Sequence, residues 1–262
     1  MTDGATPPVQ VIAHRGASRE RPENTLSAFD EALRQGCDAI ELDVQLSRDG
    51  VPVVYHDRTL ARAGGGRRRV AQLDFEALLG LDPGARFGEA FRGQRIPSLD
   101  EVLSRYGART RLLVEIKARE GRGPTPRHVE LVHAVGAEVR RHGLESSVLV
   151  LCFDPSLLDE LGRAAPRLGR VLNIKPPPVL RRSLEARLDT LRALSADVRT
   201  LTLRFARRLR DVGCPLFVFT CNTPRRVDLA VAAGAAGIMA DRPAWLARRL
   251  ARPAQERPGS GR

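Results

Sequence analysis

A chain of 262 residues with 42% hydrophobic content is long enough to bury one large core, and a single α/β domain of that size is ordinary. Its formal charge of +12 invites a nucleic-acid reading. However, Lys117 and Lys175 are the only lysines, the arginines spread along helices, and 4% aromatic residues are too few for a base-stacking platform. Met1 to Gln10 shows no charged-then-apolar leader pattern, and Leu229–Ala240, the longest nearly apolar stretch, is too short to span a bilayer of about 30 Å.

The expectation is a cytoplasmic protein with no nucleic-acid partner and no stable membrane insertion. An Arg-rich nucleic-acid binder is the rival from a different class. Cys37, Cys152, Cys214 and Cys221 are scattered without a C-x-x-C pair, which argues against a zinc site and fits a reducing compartment.

Nine apolar, β-rich runs follow one another: Val9–Ala13, Ala39–Val44, Val51–Tyr55, Leu112–Ile116, Val148–Phe153, Arg170–Ile174, Ala196–Thr200, Leu216–Cys221 and Gly237–Ala240. Helical patterns lie between most of them. Leu26, Phe29 and Leu33 share a helical face that Gly36 ends. Ser98 to Glu101 reads as a capping box, and Thr223-Pro224 opens a helix that Gly234 stops. Alternating strands and helices imply a parallel sheet with right-handed crossovers.

Only "QLSRDG" separates the second run from the third. A parallel crossover needs a dozen residues or more, so these two runs must form an antiparallel hairpin turning at Asp49-Gly50. Without the hairpin's return arm eight strands remain, which makes a (β/α)₈ TIM-type barrel the expected fold. An open doubly wound sheet is the alternative, but its G-x-G-x-x-G fingerprint is missing. Residues Arg58 to Ile96 break the repeat and read as an insertion over the mouth of one domain spanning residues 9–250, and 253–262 read as a disordered tail.

Strand ends open onto the active face of such a barrel. His14 sits just past the first run and His56 follows the hairpin's return arm, beside Asp43. Glu41 and Asp43 are two apart, as are Glu115 and Lys117, so each pair shares a face. Three buried carboxylates need a compensating cation, and oxygen-only ligation by Glu41, Asp43 and Glu115 suits one Mg²⁺ or Ca²⁺ better than zinc. Two histidines outside that set, His14 and His56, can act as general acid and base, while Arg15 and Lys117 can neutralise a phosphate.

The stretches "HRGASRERPENTLSAF", "IELDVQLSRDGVPVVYHD" and "LLVEIK" resemble the glycerophosphodiester phosphodiesterase family, and "VFTCNTPRRVDLAVAAGAAGIMADRP" resembles its C-terminal region. That resemblance implies metal-assisted hydrolysis of small glycerophosphodiesters to glycerol phosphate and an alcohol, with the same residues as metal ligands, acid/base pair and phosphate clamp. It further implies that the substrate's own glycerol hydroxyl attacks first, giving a cyclic phosphate that water opens. Cys152, Phe219 and Ala240 stand where Ser is common, Trp is usual and Thr is common in the family, and Cys152, Phe153 and Phe219 are expected in the pocket wall. A lysophospholipase D-like reading would need Phe75, Leu78, Leu79, Leu81, Phe87 and Phe91 of the insertion to form an apolar groove.

Overall fold

The computed structural model describes residues 8–118, 123–175 and 182–251. Nine strands form one sheet: β1 (Gln10–His14), β2 (Ala39–Leu46), β3 (Pro52–Val54), β4 (Arg111–Ile116), β5 (Val148–Cys152), β6 (Gly169–Ile174), β7 (Ala193–Asp197), β8 (Leu216–Phe219) and β9 (Gly237–Ala240). All neighbours are parallel except β2 and β3, and β1 pairs with both β9 and β2, closing eight strands into a barrel. The hairpin turns through Ser47–Val51, with Gly50 at φ +86° accepting the left-handed turn that a side chain would resist.

Helices α1 (Leu26–Arg34), α2 (Phe75–Leu79), α3 (Leu99–Tyr106), α4 (Pro126–Arg141), α5 (Pro155–Ala164), α6 (Arg182–Glu185), α7 (Leu203–Asp211), α8 (Pro224–Ala232) and α9 (Pro243–Ala251) connect and cover the strands. Ser98 caps α3 by accepting the Glu101 N–H, one half of the expected box. Gly36 and Gly234 follow α1 and α8 with positive φ, as helix-stopping glycines do.

Side chains alternate across each strand, and that alternation builds the site. Ile12, Ala39, Leu113, Leu149, Leu151, Val171, Ala193, Phe217 and Met239 form an apolar plug inside the barrel. The other phase, including Val11, Ala13, Ile40, Leu42, Val114, Val150, Cys152 and Ala240, packs outward against the helices. Two residues beyond plug positions come His14, Glu41, Glu115, Phe153, Asn173, Ser195, Phe219 and Asp241. The plug is the floor, and the polar ring above it is the mouth.

Two expectations shift. The sixth barrel strand, β7, covers Ala193–Asp197 rather than Ala196–Thr200, because Asp197 accepts from the Arg199 N–H and Thr200 N–H bonds the Asp197 carbonyl, turning the chain there. The segment 58–96 holds α2 and three 3₁₀ turns around its own cluster of Leu60, Ala63, Val70, Leu78 and Ile96 against Val53 and Tyr55. It borders the mouth beside His56, and none of its residues lines the central cavity. The expected tail, 253–262, lies outside the described residues.

Candidate active site

The first turn after β1 holds the site in a costly conformation. Arg15 has φ +57° and Gly16 φ +80°. A left-handed non-glycine residue costs about 1–2 kcal/mol. A Cβ on Gly16 would sit 2.7 Å from the backbone of Ala28 in α1, so only glycine fits. The turn aims the Arg15 N–H at Glu41 Oε2 (3.0 Å) and its guanidinium Nε at Asp43 Oδ2 (3.1 Å). Asn24, also left-handed at φ +57°, returns the loop: its amide donates to Asp43 Oδ2 (2.8 Å) and its carbonyl accepts the Asp43 N–H.

Strand register then assembles the carboxylates. His14 is level with Glu41, and Asp43 with Glu115. Glu41, Asp43 and Glu115 are all buried, and they offer oxygens within 4.8 Å of one another. Lys117 Nζ lies 2.6 Å from Glu115 Oε1 and 3.4 Å from Asp43 Oδ1, and Asn173 donates to Glu115 Oε2 at 3.1 Å.

Burial, then the Asp43 charge, push the Glu41 carboxyl well above the usual carboxylate range. Burial also works against an ionised Asp43, but Lys117, Arg15 and His56 outweigh it and hold that group low. Two side-chain cations against three buried carboxylates leave a deficit that Glu41 expresses. A divalent ion at the shared oxygens would remove it, and the all-oxygen donor set fits a hard cation.

Each histidine is fixed by a carboxylate. His14 Nδ1 meets Asp241 Oδ1 at 2.7 Å, and Asn222 holds Asp241 through both its amide and its carbonyl. Burial disfavours a charged His14 ring, yet the Asp241 hydrogen bond and the Glu41 charge override it and raise its pKa. His56 Nδ1 meets Asp57 Oδ1 at 3.0 Å, and Arg62 bridges Asp57 and Glu23. In both rings Nε2 is the nitrogen left to exchange a proton.

These groups open into a cavity of about 360 Å³ lined by His14, Arg15, His56, Glu115 and Lys117 on one side. Phe153, Lys175, Asp197, Arg199, Phe219, Thr220 and Arg226 line the other.

Comparison with known proteins gives this geometry its context. The model of the glycerophosphoryl diester phosphodiesterase family matches residues 14–245. A glycerophosphodiester phosphodiesterase of Caldanaerobacter subterraneus is 33% identical over 237 residues, covering 90% of this chain and 95% of that protein. The chain belongs to the glycerophosphodiester phosphodiesterase family. It is therefore a member of a hydrolase family built on a TIM barrel. Among solved structures, an Oleispira antarctica phosphodiesterase in complex with the product sn-glycerol-3-phosphate superposes with a TM-score of 0.82 at 28% identity, covering 92% of this chain and 96% of that one. A lysophospholipase D of Mus musculus is 27% identical over 95% of this chain and 84% of its own length.

Within this family member, the seven charged or titrating residues singled out from sequence meet at one end of the barrel. Of the expected pocket wall, Phe153 and Phe219 line the cavity and meet edge to face at 6.1 Å. Cys152 does not line it. It sits in the outward phase of β5, fully buried among the helix-facing side chains, where its Sγ accepts the Asp154 N–H. Ala240 faces outward for the same reason.

Sequence reasoning missed the residues that orient the others: Asn24, Asp57, Asn173, Asn222 and Asp241. Asn24 lies in "PENT" and Asp241 in "ADRP", both within motifs that carried the family resemblance. Asn173 had a usable signal, since it stands two before Lys175 at a strand end, in phase with the mouth.

Proposed function

We propose that this chain hydrolyses small glycerophosphodiesters to glycerol 3-phosphate and an alcohol, using a divalent cation, Mg²⁺ or Ca²⁺, held by Glu41, Asp43 and Glu115. The observation that carries the reading is the convergence of three buried carboxylate oxygens within 4.8 Å, flanked by Arg15 and Lys117. The bound cation would lower the pKa of an attacking hydroxyl and screen the phosphoryl charge. Arg15 and Lys117 hold the phosphate oxygens, Arg15 through a planar fork and Lys117 as a point charge.

His14 and His56 form the acid/base pair. One Nε2 accepts the proton of the attacking hydroxyl and the other gives one to the leaving alkoxide, with roles reversed when water completes the reaction. Asp241 and Asp57 keep both rings in the tautomer that presents Nε2. The product found in the Oleispira antarctica relative supports a small polar substrate. No helix among the described residues is long and apolar enough to cross a membrane, and all four cysteines are free. Free thiols favour a reducing, cytoplasmic setting.

A second reading, lysophospholipase D activity, rests on the mouse relative and on the Phe87–Phe91 ring pair beside His56. The deciding assay is a panel of glycerophosphodiesters in EDTA, followed by Mg²⁺, Ca²⁺ or Mn²⁺ added back. EDTA is expected to abolish turnover and Mg²⁺ or Ca²⁺ to restore it. Glu41→Gln, Asp43→Asn and Glu115→Gln are each expected to weaken metal binding in calorimetry. Full activity in EDTA, or unchanged metal affinity in all three variants, removes the proposal.

A further inference from the structure

The wall opposite the carboxylates has a charge pattern that one phosphodiester does not use. Successive chain segments bring a cation to it: Lys175 after β6, Arg199 after β7 and Arg226 in the first turn of α8. Asp197 is the only carboxylate among the described residues of that wall, and Arg199 binds it with both Nε and Nη2. Lys175 Nζ lies 4.7 Å from the centre of the Phe153 ring. Arg226 lines the cavity and has no ion pair or side-chain hydrogen bond among the described residues.

Two further features mark this place. The first turn of α8 holds Arg225 and Arg226 and no acidic residue, and Thr223 makes no side-chain cap bond. Cations are unfavourable at a helix N-terminus, where the dipole and the unpaired N–H groups ask for an anion. This is also the loop region after the seventh barrel strand, where TIM barrels commonly build a phosphate site. On β6 and β7, two residues before Lys175 and Asp197, Asn173 Oδ1 and Ser195 Oγ are paired in register and buried without a hydrogen-bond partner. Each unmet buried group costs about 1–3 kcal/mol unless a polar ligand or water reaches it.

We infer that the Lys175–Arg199–Arg226 wall is a second anion subsite, and that the preferred substrate is a glycerophosphodiester carrying an additional phosphate on the same molecule. The inference rests on the proposed reaction at the carboxylate side and adds the substrate class. The reacting phosphate meets Arg15 and Lys117, and the second phosphate meets Arg226 and the N-terminus of α8.

The test compares two substrates with the same scissile bond, glycerophosphoglycerol and bis(glycerophospho)glycerol, which differ by one glycerophosphate. In the wild-type protein kcat/KM is expected to favour the bis-phosphate by about 10- to 100-fold, mostly through KM, the range a charge-assisted hydrogen bond contributes. Arg226→Gln should collapse that ratio towards one, and Arg226→Lys should recover part of it. Equal kcat/KM for the two substrates in the wild-type protein, or a ratio untouched by Arg226→Gln in a chain folded by circular dichroism, overturns the subsite. Should neither substrate turn over, the hydrolysis proposal fails instead. The subsite is then judged by the calorimetric Kd of the two compounds for wild type and Arg226→Gln, and equal affinities reject it.

Discussion

On the β1–β2–β4 side of the mouth, every cation is already set against carboxylates: Arg15 against Asp43 and Glu23, Lys117 against Asp43 and Glu115. The histidines there are fixed by Asp241 and Asp57. On the β6–β7–α8 side, one buried carboxylate serves Arg199 while Arg226 waits in the wall of the same cavity. The first side is a closed network whose geometry is fixed before substrate arrives, which is what proton transfer and charge stabilisation require. On the second side, Arg226 has charge to give to a ligand. One face of the barrel thus supports chemistry and the other selection, and substitutions on the two should differ in kind, kcat on the first and KM on the second.

The largest expected effect tests the first half of that contrast. His14→Ala and His56→Ala should each lower kcat by about 10²–10⁴-fold, the usual cost of losing a general acid or base. Neither ring belongs to an apolar cluster, so circular dichroism should show an intact fold. A folded variant with near-wild-type kcat would remove that histidine from the acid/base pair.

A smaller effect is expected one bond further out. Asp241→Asn should cost about 10- to 100-fold in kcat by analogy with other residues that orient a functional histidine. Its signature is a pH shift. Asp241 raises the His14 pKa, so its removal lowers it, and the limb of the pH–rate profile governed by His14 should move to lower pH. A drop in kcat with an unmoved profile would mean that Asp241 merely supports the loop.

The same contrast explains what was legible from residue order alone. The carboxylate side is dense in charge on long, strongly patterned strands, so the two-residue periodicity of "IELDV" and "LLVEIK" placed Glu41, Asp43, Glu115 and Lys117 together. The hairpin followed from the shortness of "QLSRDG". The far wall was harder to read. Ala193-Leu194-Ser195-Ala196 has weak β character, which displaced the expected strand by three residues and hid that Asp197 ends it. Arg199 and Arg226 sit in a turn and a helix start, where an arginine ordinarily faces water. Cys152 faces the helices rather than the pocket because strand phase, not its place in a motif, decides which side of the sheet a side chain occupies.

That last point gives a prediction near zero. Cys152→Ser should leave kcat/KM unchanged within about twofold, because the side chain faces the helices. Its cost should appear in stability, about 1 kcal/mol for a hydroxyl placed in an apolar layer, offset in part where it accepts the Asp154 N–H as the sulfur does. Chemical denaturation and kcat/KM measured on the same variant check both halves. A large loss of kcat/KM in a stable protein would return position 152 to the pocket wall.

The smallest expected effect concerns acyl chains, and it separates hydrolysis of small substrates from lysophospholipase D activity. A lipid enzyme needs a continuous apolar wall. In the central cavity Phe153 and Phe219 are the only apolar residues among the described lining, and Lys175 lies over one of those rings. In the insertion, Phe75, Leu78 and Leu81 pack against Leu60 and its neighbours, and none of the three lines the central cavity or the one beside His56. Phe87 remains 41% exposed and lines a smaller cavity of about 190 Å³ beside His56, but Glu23, Arg62 and Arg86 interrupt that wall. Full burial of a methylene is worth about 0.8 kcal/mol, or about a fourfold gain in kcat/KM per added carbon. Walls this broken should give far less, so a short-chain lysophosphatidylcholine series should show a nearly flat dependence on chain length. Glycerophosphocholine should lead every member of the series. A steady fourfold rise per carbon would show that the insertion rearranges into a groove, and Phe87→Ser would then be expected to abolish the rise while sparing glycerophosphocholine.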